Sequence, residues 1–138
     1  MMEIERKFLV KYLPVNYTQN PKLEVWQDYI SVKPVIRIRK QKNDNNKYEY
    51  ILTIKAAGEL TREEYEIKLT AEEYENLLKK KEFDTIHKTR YFIEINDNHI
   101  AELDIYHNKK LNGLITVEVE FESEQAALKF ITPDWFGE

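Results

Sequence analysis

Pairs of like charge recur at two-residue spacing along this chain: Glu3 and Glu5, Arg37 and Arg39, Glu64 and Glu66, Lys88 and Arg90, Glu102 and Asp104, Glu118 and Glu120. In a β-strand successive side chains point to opposite faces, so each pair shares one face of its strand. The alternate positions are apolar: Ile36 and Ile38, Tyr65 and Ile67, Leu103 and Ile105, Val117 and Val119. An open sheet with one solvated face also alternates in this way. A plain solvated face, however, gains nothing from rows of one sign, because neighbouring like charges repel. The pattern is satisfied if the sheet closes with its charged faces inward. Basic rows would then suit a bound anion, and acidic rows a hard cation. The apolar faces point outward under covering helices, the reverse of the usual soluble barrel.

Read in order, the alternation predicts eight strands, over residues 3–10, 26–30, 35–40, 47–55, 62–69, 86–95, 100–106 and 114–121. Residues 12–21 read as a loop or a single helical turn, and Pro34 marks a strand start or edge. The polar stretch Asn43 to Asn46 and the Asp97-Asn98 pair read as hairpin turns. Thr70 followed by Glu73 is a capping box, and Tyr74, Leu77 and Leu78 follow at helical spacing, which predicts a helix over 71–81. Ser123 caps a second helix over 124–130. Short connections make the pairing mostly antiparallel. The expected fold is therefore α+β but mainly β: an eight-stranded antiparallel barrel, closed or nearly so, with a few flanking helices.

Composition narrows the class. At 138 residues the chain is expected to form one domain over 1–138, with a real core. The charged fraction is 33% against 42% hydrophobic, which fits a folded soluble protein. A net charge of −4 argues against a general nucleic-acid binder. No apolar run approaches the ~20 residues of a membrane span. Near the N-terminus, Glu3, Glu5 and Arg6 interrupt any signal-peptide core. With no cysteine, disulfides and thiolate metal sites are excluded, and the cytoplasm is the default location. Neither GxxxxGK nor GxGxxG occurs, so phosphates must be held by side chains. His87, His99 and His107 show no ligand spacing and read as surface or packing residues.

The charged strands carry a series of short motifs. In order they are ExExK at Glu3, Glu5 and Lys7, QxY at Gln27 and Tyr29, RxR at Arg37 and Arg39, and TxK at Thr53 and Lys55. RxExE at Arg62, Glu64 and Glu66, KxR at Lys88 and Arg90, and ExD at Glu102 and Asp104 follow. The series ends with Gly113-Leu114 and the run Glu118 to Phe121. Taken together, the motifs resemble the CYTH superfamily, the triphosphate tunnel metalloenzymes, over almost the whole chain. Trp135-Phe136-Gly137 looks like the aromatic-glycine element after the last sheet strand of bacterial members. Those members usually continue into a helix that can plug one tunnel mouth. This chain stops at Glu138, so the expectation is either a member without the plug or a truncated chain.

The resemblance implies roles. Glu3, Glu5, Glu118 and Glu120 are the expected metal ligands, helped directly or through water by Asp104, Glu64 and Glu66. Internal pairing with arginine competes for some of Glu64, Glu66 and Glu102. An all-oxygen set suits Mg²⁺ or Mn²⁺. Lys7, Arg37, Arg39, Lys55, Lys88 and Arg90 are expected to hold phosphate oxygens, and Arg62 joins them unless it is exposed at its strand end. Lys7, Lys88 and Tyr29 form the expected catalytic set, Tyr29 orienting a phosphate or water unless it packs on the outer face. The implied activity is metal-dependent triphosphate hydrolysis, foremost of inorganic triphosphate, with nucleoside triphosphates as further substrates. An adenylate cyclase, a thiamine triphosphatase and a non-catalytic polyphosphate binder are the alternatives. The expected partner is a small triphosphate, with no nucleic acid or membrane, and the protein is expected as a monomer or homodimer.

Overall fold

A computed structural model describes residues 2–138. Its strands are β1 (Met2–Leu9), β2 (Lys22–Val32), β3 (Val35–Lys42) and β4 (Tyr48–Lys55), then β5 (Thr61–Leu69), β6 (Ile86–Glu94), β7 (Ile100–Tyr106) and β8 (Ile115–Glu120). They form a closed barrel in the order β1-β5-β4-β3-β2-β6-β7-β8, and every pairing is antiparallel. The β3–β4 and β6–β7 turns carry Asn46 (φ 59°) and Asn98 (φ 60°), a left-handed conformation that asparagine tolerates well. In the first turn Asn43 Oδ1 also accepts from the amides of Asn45 (2.8 Å) and Lys47 (3.1 Å). Pro34 lies in the tight turn between Val32 and Val35. A single 3-10 turn, Tyr17–Gln19, occupies the loop after β1.

Two short helices flank the barrel. Helix α1 (Ala71–Leu78) begins with the capping box: Thr70 Oγ1 accepts from the Glu73 amide (3.1 Å), and Glu73 Oε1 accepts from the Thr70 amide (2.8 Å). It stops at Leu78 rather than running to residue 81. Three lysines follow, with no apolar side chain to bury and with mutual repulsion. The chain tightens there into i→i−3 bonds, Lys80 to Leu77 (2.9 Å) and Lys81 to Leu78 (3.3 Å). Helix α2 (Glu124–Lys129) is capped by Ser123 Oγ, which accepts from the Ala126 amide (3.0 Å).

The main core lies outside the barrel wall. Phe8, Tyr91, Ala101, Leu103, Val117, Val119 and Phe121 project outward and are buried beneath Ala127, Trp135 and Phe136. Burying such side chains supplies roughly 1.5–3 kcal/mol each for the larger ones. The closing segment clamps onto the end of β1: Lys11 N donates to Trp135 O (2.8 Å) and Gly137 N to Leu9 O (2.6 Å). A Cβ at Gly137 would lie 2.9 Å from Leu9 O, so only glycine fits this approach. Contrary to the expectation from the alternation, the two helices leave part of the apolar exterior uncovered. Tyr65 and Ile67 on β5 remain 53% exposed each. An eight-residue helix is only about 12 Å long, and α1 spends that length over β2, β3, β4 and the adjacent part of β5.

Candidate active site

The barrel encloses a tunnel of about 580 Å³. Strand order sorts its charges. Strands β4, β3, β2 and β6 are consecutive round the wall and contribute Lys55, Arg37, Arg39, Lys88 and Arg90, with Gln27 and Tyr29 between them. Strands β7, β8, β1 and β5 make up the rest and contribute Glu102, Glu118, Glu120, Glu3, Glu5, Glu64 and Glu66. Lys7 and Arg62 are the exceptions, cations set in the acidic arc. Closure thus turns scattered one-sign rows into two facing arcs.

In the acidic arc, Glu3, Glu5 and Glu120 bring carboxylate oxygens within 4.8 Å of one another. Two carboxyl pairs share protons. Burial, together with the neighbouring Glu118, pushes Glu5 up to about 8, while its hydrogen bond and nearby Arg90 and Lys7 hold Glu118 at about 2 against the effect of burial. Burial and contact with Glu3 likewise raise Glu64 to about 8; Glu3, bonded by Glu64 and Lys55, falls below its ordinary range despite burial. Glu64 Oε2 is buried and has no hydrogen-bond partner. Lys55 is the local counter-ion, with Nζ 2.8 Å from Glu3, 3.7 Å from Glu5 and 3.8 Å from Glu64.

These shifts fix a pH dependence. Glu5 and Glu64 at about 8 and Glu102 at about 7 lie above the ordinary value of 4.5. A raised folded-state value stabilises fully below the unfolded value, and that contribution is lost as pH climbs through the folded value. Without divalent cations, the protein is expected to lose roughly 5–10 °C of Tm between about pH 6 and 9. Divalent cations take over the protons' role and flatten the fall. A cation-free Tm that stays level across that range would refute the shared-proton description.

The basic arc is only partly neutralised. Asp104 has 0% exposure and accepts from Arg90 Nε (2.7 Å) and Arg90 Nη2 (2.9 Å), with Lys88 Nζ also 2.8 Å from its Oδ2. It points inward, with both oxygens taken up by Arg90 and Lys88, and orients these two cations. Arg39 differs: its buried Nε has no hydrogen-bond partner, and its nearest carboxylate, Glu66, is 3.8 Å away. Burial, then the nearby charges of Arg90 and Arg37, lower its affinity for its own proton. Among the described residues Arg37 and Arg62 make no ion pair within 4.0 Å. A row of under-neutralised guanidiniums in a low-dielectric wall favours an incoming anion.

Every tunnel residue expected from the sequence lines this cavity except Asp104, which points inward but is buried against Arg90 and Lys88. Tyr29 faces inward beside Arg37 rather than packing on the exterior. Arg62 lines the tunnel as well. Arg6, of opposite parity, points outward and donates to the Ala127 carbonyl (2.9 Å). His99 packs edge-on against Phe121 and Phe130. His87 and His107, in contrast, meet Glu24 on the outer face, a grouping with no spacing signal because its members come from distant parts of the chain.

A closed tunnel with opposed cationic and anionic walls defines a protein suited to holding a polyanion together with cations. The chain belongs to the CYTH domain family, whose model matches residues 1–132. An inorganic triphosphatase of Nitrosomonas europaea is 40% identical over 141 aligned positions, a match that takes in all of this chain and 88% of that protein. Among solved structures, the inorganic triphosphatase NE1496 matches with a TM-score of 0.64 at 36% identity, covering 99% of this chain and 84% of that one. The PH1819 protein of Pyrococcus horikoshii OT3 shares the fold at 19% identity, with a TM-score of 0.65 and coverage of 92% and 82%. No helix among the described residues is long and apolar enough to cross a membrane.

Proposed function

We propose that this protein is a divalent-metal-dependent inorganic triphosphatase, acting through residues 1–138 as one unit. The observation that carries the reading is the pairing of a carboxyl cluster at Glu3, Glu5 and Glu120 with a facing row of under-neutralised arginines. The 40% identical inorganic triphosphatase supports the same substrate class.

The acidic arc fits a hard divalent cation. Its donors are all carboxylate oxygens, and several are crowded enough to retain protons near neutral pH, which a cation would displace. Glu3, Glu5 and Glu120 would hold Mg²⁺ or Mn²⁺, with Glu118, Glu64 and Glu66 alongside. Bound there, the metal supplies charge neutralisation for phosphate oxygens and orientation of the attacking water. The residues of this chain do the rest. Arg37, Arg39 and Arg90, with Lys88 and Lys55, grip the phosphate chain through charge-assisted hydrogen bonds. Asp104 keeps Arg90 and Lys88 aimed by accepting hydrogen bonds from Arg90 and pairing with the Lys88 ammonium. Lys7 and Tyr29 extend the grip along the tunnel. Water oxygen bonds to a terminal phosphorus while the bridging P–O bond breaks, giving phosphate and pyrophosphate.

Incubation of the purified protein with Mg²⁺ or Mn²⁺ and, separately, tripolyphosphate, ATP and thiamine triphosphate tests the proposal. Tripolyphosphate is expected to be turned over fastest, with phosphate and pyrophosphate released in equal amounts. Cyclic AMP and pyrophosphate from ATP, without hydrolysis of tripolyphosphate, would overturn it in favour of a cyclase.

A further inference from the structure

We propose that Glu24, His87 and His107 form a second metal site, on the outer face of the barrel, for a late first-row divalent ion of the zinc class. The three residues bring potential ligand atoms within 4.8 Å of one another. His87 Nε2 lies 2.9 Å from Glu24 Oε2. Thr89 Oγ1 lies 2.6 Å from Glu24 Oε1 and 2.7 Å from His107 Nε2.

Strand parity separates this cluster from the tunnel. On β6, Lys88 and Arg90 point inward, so His87 and Thr89 point outward. Glu24 stands opposite Thr89 in the β2–β6 register. His107 follows β7, and its amide donates to the His87 carbonyl (2.8 Å).

The hydrogen-bond pattern shows how an ion would fit. Thr89 has one proton, and it goes to Glu24, so the tautomer that satisfies the Thr89 contact has His107 Nε2 as donor; the carboxylate of Glu24 only accepts, so the matching tautomer of His87 has Nε2 as donor too. When the protons move to Nδ1, the same two nitrogens present lone pairs. Two imidazoles and a carboxylate are then the protein ligands of an open four-coordinate site, with water in the remaining position. Imidazole nitrogen favours Zn²⁺, Cu²⁺ and Ni²⁺ over Mg²⁺. The tunnel carboxylates have the opposite preference.

The cluster is also held in place before any ion arrives. The His87 ring stacks on Trp26 at 5.1 Å with 4° between planes, and Lys40 Nζ lies 4.8 Å from that indole. Asn108 ties the neighbouring backbone, accepting from the His87 amide (2.8 Å) and donating to the Thr85 carbonyl (2.7 Å). Little side-chain freedom remains to be lost on binding. Access is open, since the side chains of His87 and Glu24 are 38% and 25% exposed. A bound ion would tie β2, β6 and the loop after β7 together.

Zn²⁺ titration of the full chain by calorimetry, with Mg²⁺ in large excess to occupy the tunnel, tests the site. Co²⁺ serves as an optical probe of nitrogen ligation. One equivalent of Zn²⁺ is expected to bind and raise Tm. Glu24→Gln and His107→Gln are each expected to weaken binding by at least about tenfold and to abolish the Co²⁺ visible band, with tripolyphosphate turnover in Mg²⁺ unchanged. His99→Gln and Glu5→Gln are expected to bind Zn²⁺ as the parent does. Equal Zn²⁺ affinity in the parent and both cluster variants would overturn the site. So would the absence of Zn²⁺ uptake, which would leave a hydrogen-bonded surface cluster only.

Discussion

Glu5→Gln is expected to abolish metal-dependent hydrolysis of tripolyphosphate while leaving the barrel folded and, without added cations, more heat-stable than the parent. Glu5 faces Glu120 in the β1–β8 register and shares a proton with Glu118. The amide of glutamine can donate to Glu118 as the protonated carboxyl does, so the fold keeps that hydrogen bond. What disappears is a charge that a divalent cation needs and that otherwise crowds three carboxyls. Loss of an outer-shell partner already costs about 10–100-fold in metal sites, and loss of a direct ligand is expected to cost at least the upper figure in kcat/KM. Removing the repulsion should raise the cation-free Tm most above about pH 8, where parental Glu5 ionises. Steady-state assays over a Mg²⁺ and Mn²⁺ series, with thermal melts on the same samples, check both halves. Turnover near the parental level at matched metal would remove Glu5 from the ligand set.

The parity of the strands with one-sign charge pairs was legible in the sequence, because a two-residue period leaves only two ways to orient Arg37 and Arg39 or Glu118 and Glu120; on β2 the sequence left Tyr29 open between the two faces. The apolar alternates settle which way. The identity of neighbours round the barrel was not legible. Lys55 sits among Glu3, Glu5 and Glu64 because β1 closes onto β5, a pairing of distant segments that local spacing does not encode. The two charge arcs follow from the same closure. Asp104 shows the limit from another side: its row predicted an inward carboxylate, and it is inward-directed. Yet the β6–β7 register places it opposite Arg90, and both its oxygens are taken up by Arg90 and Lys88. Helix α1 was over-read by three residues because helical spacing of Tyr74, Leu77 and Leu78 says nothing about whether the following lysines have anything to pack on.

Arg39→Ala is expected to lower kcat/KM for tripolyphosphate by roughly 10–100-fold, the equivalent of ~1.5–3 kcal/mol for a lost charge-assisted hydrogen bond. The free protein gives this guanidinium little to do. Its Nε is buried without an acceptor, Glu66 is 3.8 Å away, and Arg37 and Arg90 repel it. Removing it therefore relieves strain between cations, and the Tm of the ligand-free protein should hold or rise. Its usefulness lies in the bound state, where a phosphate oxygen completes its donors. The loss should be similar for ATP, which presents the same phosphate chain, and divalent-cation affinity of the free protein should change little. Arg6→Ala is the internal control. Arg6 donates to the Ala127 carbonyl at 2.9 Å and its guanidinium lies 4.9 Å from the Phe8 ring, both on the exterior. That variant should lose about 1 kcal/mol of stability and keep parental kcat/KM. The two substitutions thus separate in opposite directions, one in kinetics and one in Tm. An inactive Arg6 variant beside an active Arg39 variant would mean that the charged faces point outward, and no tunnel chemistry could then be assigned to these rows.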